Sequence, residues 1–140
     1  MGAAMQGGVG GHAGLFSNAN DVAKIMQMYL QGGYYGGERF LNERTIEKFN
    51  KCYFCDKDVR RGVGFDKPQL KETGPTCGCV SRKSFGHSGF TGTYTWADPE
   101  EEIVYVFLSN RTYPSMSNTL LVKSGLRTRI QQAIYDSIID

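Results

Sequence analysis

Two groups of residues in this 140-residue chain have the types and spacing to do chemistry. The first is Gly86-His87-Ser88-Gly89-Phe90, which sets an imidazole and a hydroxyl among glycines. Histidine changes charge near neutral pH, so His87 is a candidate for proton transfer or for orienting a polar group. The segment comes close to the G-x-S-x-G elbow that exposes a nucleophilic serine on a sharp strand-to-helix turn. Phe90 stands where that elbow needs glycine, and a strand pattern follows instead of a helix, so Ser88 is not read as a nucleophile. Gly11-His12-Ala13-Gly14 echoes the same pattern but is too short to mark a repeat. The second group is Cys52 with Cys55, and Cys77 with Cys79, two close pairs separated by residues 56–76. Three states are open to them: four thiolates on one tetrahedral zinc, a disulfide between the two pairs, or free thiols in a surface loop. None of the three assigns the cysteines to catalysis.

The elements that must position these residues follow from periodicity. Gly92, Tyr94 and Trp96 alternate with Thr91, Thr93 and Thr95, the period of two expected of a strand. Asp98-Pro99-Glu100 reads as a turn, because Pro99 fixes φ and Asp98 can bond the backbone that follows it. Ile103–Leu108 is apolar at odd and even positions, so this strand is expected to be covered on both faces. The two strands should pair as an antiparallel hairpin, with His87 at the start of the stretch.

Upstream, Ser17-Asn18-Ala19-Asn20-Asp21 offers N-cap residues and an early acid, a helix start, and Val22, Ile25, Met26, Tyr29 and Leu30 fall on one helical face that Gly32-Gly33 terminates. Tyr34–Leu41 is a glycine-containing connection. Asn42 can cap a helix over about Glu43–Lys51, with Ile46 and Phe49 inward. A strand is expected at Arg61–Phe65, then a loop around Pro68 and Gly74-Pro75. After a loop at Thr112–Ser117, Leu126–Ile139 reads as an amphipathic helix with Leu126, Ile130, Ala133, Ile134 and Ile138 on one face. Met1–Gly14 shows no periodicity and reads as unstructured. The fold class is α+β, an antiparallel sheet flanked by helices, in one domain or part of one.

Bulk properties exclude several classes. The formal charge is +2, from 16 Lys+Arg and 14 Asp+Glu, and no basic stripe marks a nucleic-acid partner. A hydrophobic content of 40% suits a packed core, not a disordered chain. No apolar run reaches the ~18 residues of a membrane span. Met1–Gly11 lacks the basic start and apolar block of a signal peptide.

Taken together, the motifs resemble the serine β-lactamase and penicillin-binding-protein superfamily, in its class C-like and esterase-like branch. His87-Ser88-Gly89 is similar to that superfamily's third motif, K-T-G or H-x-G, on a strand beside the active site. The flanks agree: Gly11–Ser17 leading into a helix, Gly36–Leu41, Gly62-Val63-Gly64-Phe65-Asp66, Phe85–Thr93 leading to Trp96–Pro99, and Phe107-Leu108-Ser109-Asn110-Arg111. Domains of this kind are also found fused behind a glycoside hydrolase family 3 module. The other two motifs, S-x-x-K with the nucleophile and Y-x-N, occur nowhere in these 140 residues.

The resemblance implies a β-lactamase/transpeptidase-like fold of which residues 1–140 form a single incomplete C-terminal domain portion. The intact parent would hydrolyse amides or esters through an acyl-enzyme, with no cofactor unless the cysteines hold zinc. His87, Ser88 and Gly89 would line the site, and the Phe90 N–H would be one of two oxyanion donors. The expected partners are the upstream part of the same polypeptide and, through a bared sheet edge, further copies of this chain. The implied location is periplasmic or secreted. A non-catalytic wall- or sugar-associated module of a larger polypeptide is the alternative.

Overall fold

The chain was analysed as a computed structural model that describes residues 2–11, 13–69 and 74–138. Helix α1 (Gly2–Met5) is a single turn in the segment expected to lack structure; its two alanines favour helix before Gly7 and Gly8 end it at positive φ. Helix α2 (Ala19–Leu30) starts where Asn18 Oδ1 accepts from the Asp21 N–H at 3.0 Å. It stops at Gly32 and Gly33, both at positive φ. A two-residue hairpin, β1 (Tyr34–Tyr35) with β2 (Glu38–Arg39), leads to α3 (Glu43–Asn50), capped by Asn42.

The expected strand at Arg61–Phe65 does not form. Gly64 takes φ of 116° and the Gly62 N–H turns back to the Phe65 carbonyl at 2.9 Å, so the segment closes on itself. Single bridges join Arg61 to Asp66 and Asp66 to Gly86. Strands β3 (Phe85–Ser88), β4 (Tyr94–Asp98) and β5 (Ile103–Phe107) form an antiparallel sheet in that order. Thr91–Thr93, expected to begin the strand, lie instead in the connection between β3 and β4, closed by Gly89 N–H to the Thr93 carbonyl at 2.7 Å. The Asp98 turn holds, with the Glu100 N–H on Asp98 Oδ1 at 3.1 Å.

The two-faced apolar pattern of the sheet is covered twice. Phe85 and Ala97 pack with Met26, Val22, Tyr29 and Leu30 of α2 on one face, together with Val104. Ile25, expected on the same helical face, stays half exposed. Tyr94, Trp96 and Tyr105 form the other face beneath Ile130 and Ile134 of the last helix, α5 (Leu126–Tyr135). Helix α5 ends before Ile138, which is exposed, and Ile139 lies outside the described residues. A one-turn α4 (Leu120–Lys123) precedes it.

Each cysteine pair closes within itself: Cys52 bonds Cys55, and Cys77 bonds Cys79. This corrects all three readings open from the sequence, because four half-cystines offer no thiolate to zinc and none to a bond between the pairs. The local spacing decides it, with Cα atoms only 5.6 and 5.2 Å apart. Among the described residues no group of three or more His, Cys, Asp or Glu could hold a metal ion.

Candidate active site

Strand β3 is the site's foundation. Its pairing sets Phe85 against Ala97, Gly86 against Trp96, His87 against Thr95 and Ser88 against Tyr94. Successive residues point to opposite faces. His87 therefore projects to the α2 side and Ser88 to the α5 side, so the adjacent imidazole and hydroxyl do not converge as base and nucleophile. Gly86 is required by packing, since a Cβ there would run into the Trp96 ring and the Thr95 carbonyl.

His87 is exposed, and its hydrogen bonds define its tautomer. Nδ1 lies 2.8 Å from the Ser88 carbonyl, which only accepts, so Nδ1 carries the proton. Nε2 faces Arg61 Nη1 at 3.4 Å; a guanidinium only donates, so in neutral His87 this nitrogen is the acceptor. Arg61 is held in turn by Asp66, Nη2 to Oδ1 at 3.0 Å, while Arg60 Nη1 reaches Oδ2 at 3.1 Å. These pairs are ionic contacts more than aligned hydrogen bonds, since Arg60 Nη1 and Asp66 Oδ1 lack hydrogen-bond geometry. Asp66 is buried and clasps Gly86 through both backbone groups, N–H to carbonyl at 2.8 Å and the reverse at 3.1 Å. Arg61 thus stands beside His87 because its counter-ion is stitched to the same strand.

Gly89 and Phe90 begin the turn after β3, both exposed. The Gly89 carbonyl accepts the Gly92 N–H at 3.0 Å inside the turn. Across the trans Gly89–Phe90 peptide the Phe90 N–H points the opposite way, and among the described residues nothing accepts from it. An outward, unclaimed amide is what an oxyanion donor must be. The turn is held from behind. Arg111 Nε donates to the Phe90 carbonyl at 2.9 Å and its guanidinium sits 4.9 Å from the Phe90 ring centre. The Arg111 N–H donates to the Thr91 carbonyl at 2.8 Å, and Arg127 Nη1 to the Gly92 carbonyl at 3.2 Å. The carbonyls of Phe90, Thr91 and Gly92 are thus all engaged, while the Phe90 N–H stays unclaimed.

Sequence reasoning missed Arg61, Asp66, Arg111 and Arg127. The Gly62–Asp66 and Phe107–Arg111 segments drew attention only as resemblances; periodicity carries no signal for an arginine that reaches a turn about twenty residues away. His12 lies outside the described residues.

Comparison with known proteins gives the family. A family model described as Beta-lactamase matches residues 1–124. Two relatives named "Putative D-alanyl-D-alanine carboxypeptidase", from Salmonella agona and Salmonella paratyphi B, are each 37% identical over 113 residues. That match covers 80% of this chain and 26% of each relative, so the chain spans about a quarter of their length. The crystal structure of a beta-lactamase from Mycobacterium bovis superposes with a TM-score of 0.60 at 19% identity, over 85% of this chain and 44% of that one, a likeness of fold. With its edge strand, its two-faced sheet and a family match over most of its length, the chain belongs to the beta-lactamase family of serine hydrolases.

Proposed function

We propose that these 140 residues are the part of an acyl-enzyme hydrolase that supplies the strand beside the reacting carbonyl and one of its oxyanion donors. The observation that carries this reading is the unclaimed Phe90 N–H at the end of the strand that presents His87. In such an enzyme a serine takes the acyl group and water then removes it, splitting one hard step into two. The Phe90 N–H would stabilise negative charge on the carbonyl oxygen, and His87, braced by Arg61, would orient the substrate or pass a proton at Nε2. Ser88 and Gly89 complete the third motif: Ser88 by filling the α5 side of β3, Gly89 by leaving room for the Thr93 hydroxyl that a Cβ would strike. The relatives' name points to peptides ending in D-alanyl-D-alanine as the substrate of the intact protein.

Residues 1–140 form one incomplete domain in this reading, completed by an upstream portion of the same polypeptide that carries S-x-x-K and Y-x-N. The protein works outside the cytoplasm. Both disulfides support that location, since such bonds persist in oxidising compartments. No described helix is long and apolar enough to cross a membrane. The chain by itself turns over neither nitrocefin nor p-nitrophenyl acetate, because it holds no activated nucleophile. Turnover that survives rigorous purification and disappears in His87→Ala would overturn that expectation.

A further inference from the structure

The two cystines differ in their surroundings. Cys77 is buried, and its N–H donates to Oε1 of the buried Gln131 of α5 at 3.1 Å. Attack on the half-exposed Cys79 would leave a thiolate on Cys77, where burial disfavours charge and makes it a poor leaving group. Cys52 and Cys55 are both half-exposed, and Tyr53, Phe54 and residues 56–59 around them are exposed. Either sulfur can leave there into water. The 3₁₀ turn Cys55–Lys57 buries none of its residues, and a bond between cysteines only three positions apart removes little freedom from the unfolded chain. This loop can open without taking the core with it. Its exposed face is apolar: Tyr53 and Phe54 sit between the cysteines, Val59 bridges to Phe54, and Phe49 near the end of α3, expected to face inward, is 53% exposed.

The same loop runs directly into the residues that brace His87. Cys52 Sγ lies 3.5 Å from the Val59 carbonyl oxygen, and the Val59 N–H donates to the Phe54 carbonyl at 3.1 Å. The Val59 carbonyl also accepts the Arg61 N–H at 2.9 Å, and Arg61 Nη1 stands 3.4 Å from His87 Nε2. We infer that Cys52–Cys55 is a reversible thiol–disulfide exchange site for a protein dithiol, and that its reduction resets the contact between Arg61 and His87. The reductant's thiolate forms a mixed disulfide with one sulfur as the Cys52–Cys55 bond breaks, and the other sulfur leaves as a thiolate that takes up a proton. The reductant's second thiol then displaces the mixed disulfide. The chain gains two electrons and two protons, and the reductant ends as a disulfide. The exchange goes beyond the hydrolase reading and depends on it only for what His87 does. Exposed apolar residues on both sides of the cystine give a protein reductant a surface to dock on.

The test uses the isotopically labelled 140-residue chain. It is exposed to reduced thioredoxin or to dithiothreitol, quenched with iodoacetamide at intervals, and mapped by peptide mass. Cys52 and Cys55 should be alkylated roughly ten-fold faster than Cys77 and Cys79 with either reductant. In the selectively reduced chain the NMR signals of the His87 ring and the Arg61 guanidinium should move while those of β3, β4 and β5 persist, and reoxidation should restore them. Cys52→Ser combined with Cys55→Ser should show the reduced pattern without reductant; reduction of the wild type reads the same signals should that variant fail to fold. Phe54→Ser should slow thioredoxin and leave dithiothreitol unaffected, as docking on the apolar face requires. Equal reduction of the two cystines, loss of the sheet signals on reduction, or unmoved His87 and Arg61 signals would each overturn the inference. A Phe54→Ser chain that thioredoxin reduces as fast as wild type would overturn the protein partner. None of these failures touches the hydrolase reading, which is tested by acylation of the intact protein.

Discussion

Replacing Asp98 by asparagine should cost this chain a large fraction of its stability. Asp98 is fully buried at the end of β4 and accepts four hydrogen bonds. They come from the Ser81 N–H at 2.7 Å, the Ser81 hydroxyl at 2.5 Å, the Tyr135 hydroxyl at 2.8 Å and the Glu100 N–H at 3.1 Å. One carboxylate thus ties the sheet to the chain before β3, to its own turn and to the end of α5. Asparagine keeps the shape but offers one acceptor oxygen and turns an NH₂ toward donors. A hydrogen bond to a charged group is worth about 1.5–3 kcal/mol, and a buried donor left unmade costs about 1–3 kcal/mol. Losing two of the four, without full additivity, gives roughly 2–4 kcal/mol.

The same carboxylate sets an acid limit. Burial alone would raise its pKa, but the bonds from Ser81, Tyr135 and Glu100 outweigh burial and hold it below the usual aspartate value. A depressed folded-state pKa contributes stability that is present above the unfolded value of about 3.9 and is lost as pH falls through the folded one. Urea unfolding at pH 7 should show the variant roughly 2–4 kcal/mol less stable. Below about pH 4 the gap should narrow, because wild type loses its advantage there. Combining Asp98→Asn with Tyr135→Phe should cost less than the sum of the two single changes. A variant within about 0.5 kcal/mol of wild type at pH 7, or strict additivity with Tyr135→Phe, would refute the hub.

Three further outcomes are expected. Arg111→Ala should speed hydrogen exchange at the Gly89 and Gly92 amides, the hydrogen-bonded N–H groups of the turn, while leaving β4 and β5 protected, and Arg111→Lys should restore little, because a single ammonium cannot reproduce the forked contacts; uniform exchange across the sheet would contradict a local role. Lys67 is buried with its Nζ on the Lys83 carbonyl at 2.7 Å, and burial, partly offset by Asp98, pushes its pKa down to about 8 from 10.5. Its charged form therefore costs stability below pH 8, so wild-type stability should rise between pH 8 and about 10, a rise that Lys67→Met abolishes in pH-dependent melts. The outer edge of β5 pairs with no other strand among the described residues, which predicts self-association or strand exchange at high concentration; light scattering showing only monomer there would count against it.

Much of the scaffold was legible because it rests on local rules. Asn42 caps the helix it was expected to cap, Asn18 is the cap among the candidates at residues 17–21, and Asp98-Pro99 makes its turn, since each needs only residues within a few positions. The apolar run Ile103–Leu108 demanded cover on two faces, and α2 and α5 supply it. The failures come where backbone or tertiary choice overrides pattern. Arg61–Phe65 has strand-like residues, but its two glycines let the chain fold back and Asp66 recruits both arginines. The cysteine spacing suited several partners, and the nearest one wins in each pair. At the candidate site His87 and Phe90 could be singled out by motif. The arginine supports behind them could not, because guanidinium reach across a turn leaves no trace in periodicity.

The most direct test of the central claim, that these residues are the strand-and-oxyanion half of a serine hydrolase site, is to sequence the reading frame upstream of Met1. The account predicts an S-x-x-K followed by a Y-x-N, both before Gly11, in a polypeptide several times the length of this chain. An upstream region lacking both motifs would contradict it, and β3 with its free Phe90 amide would then be a family fold without the family's chemistry.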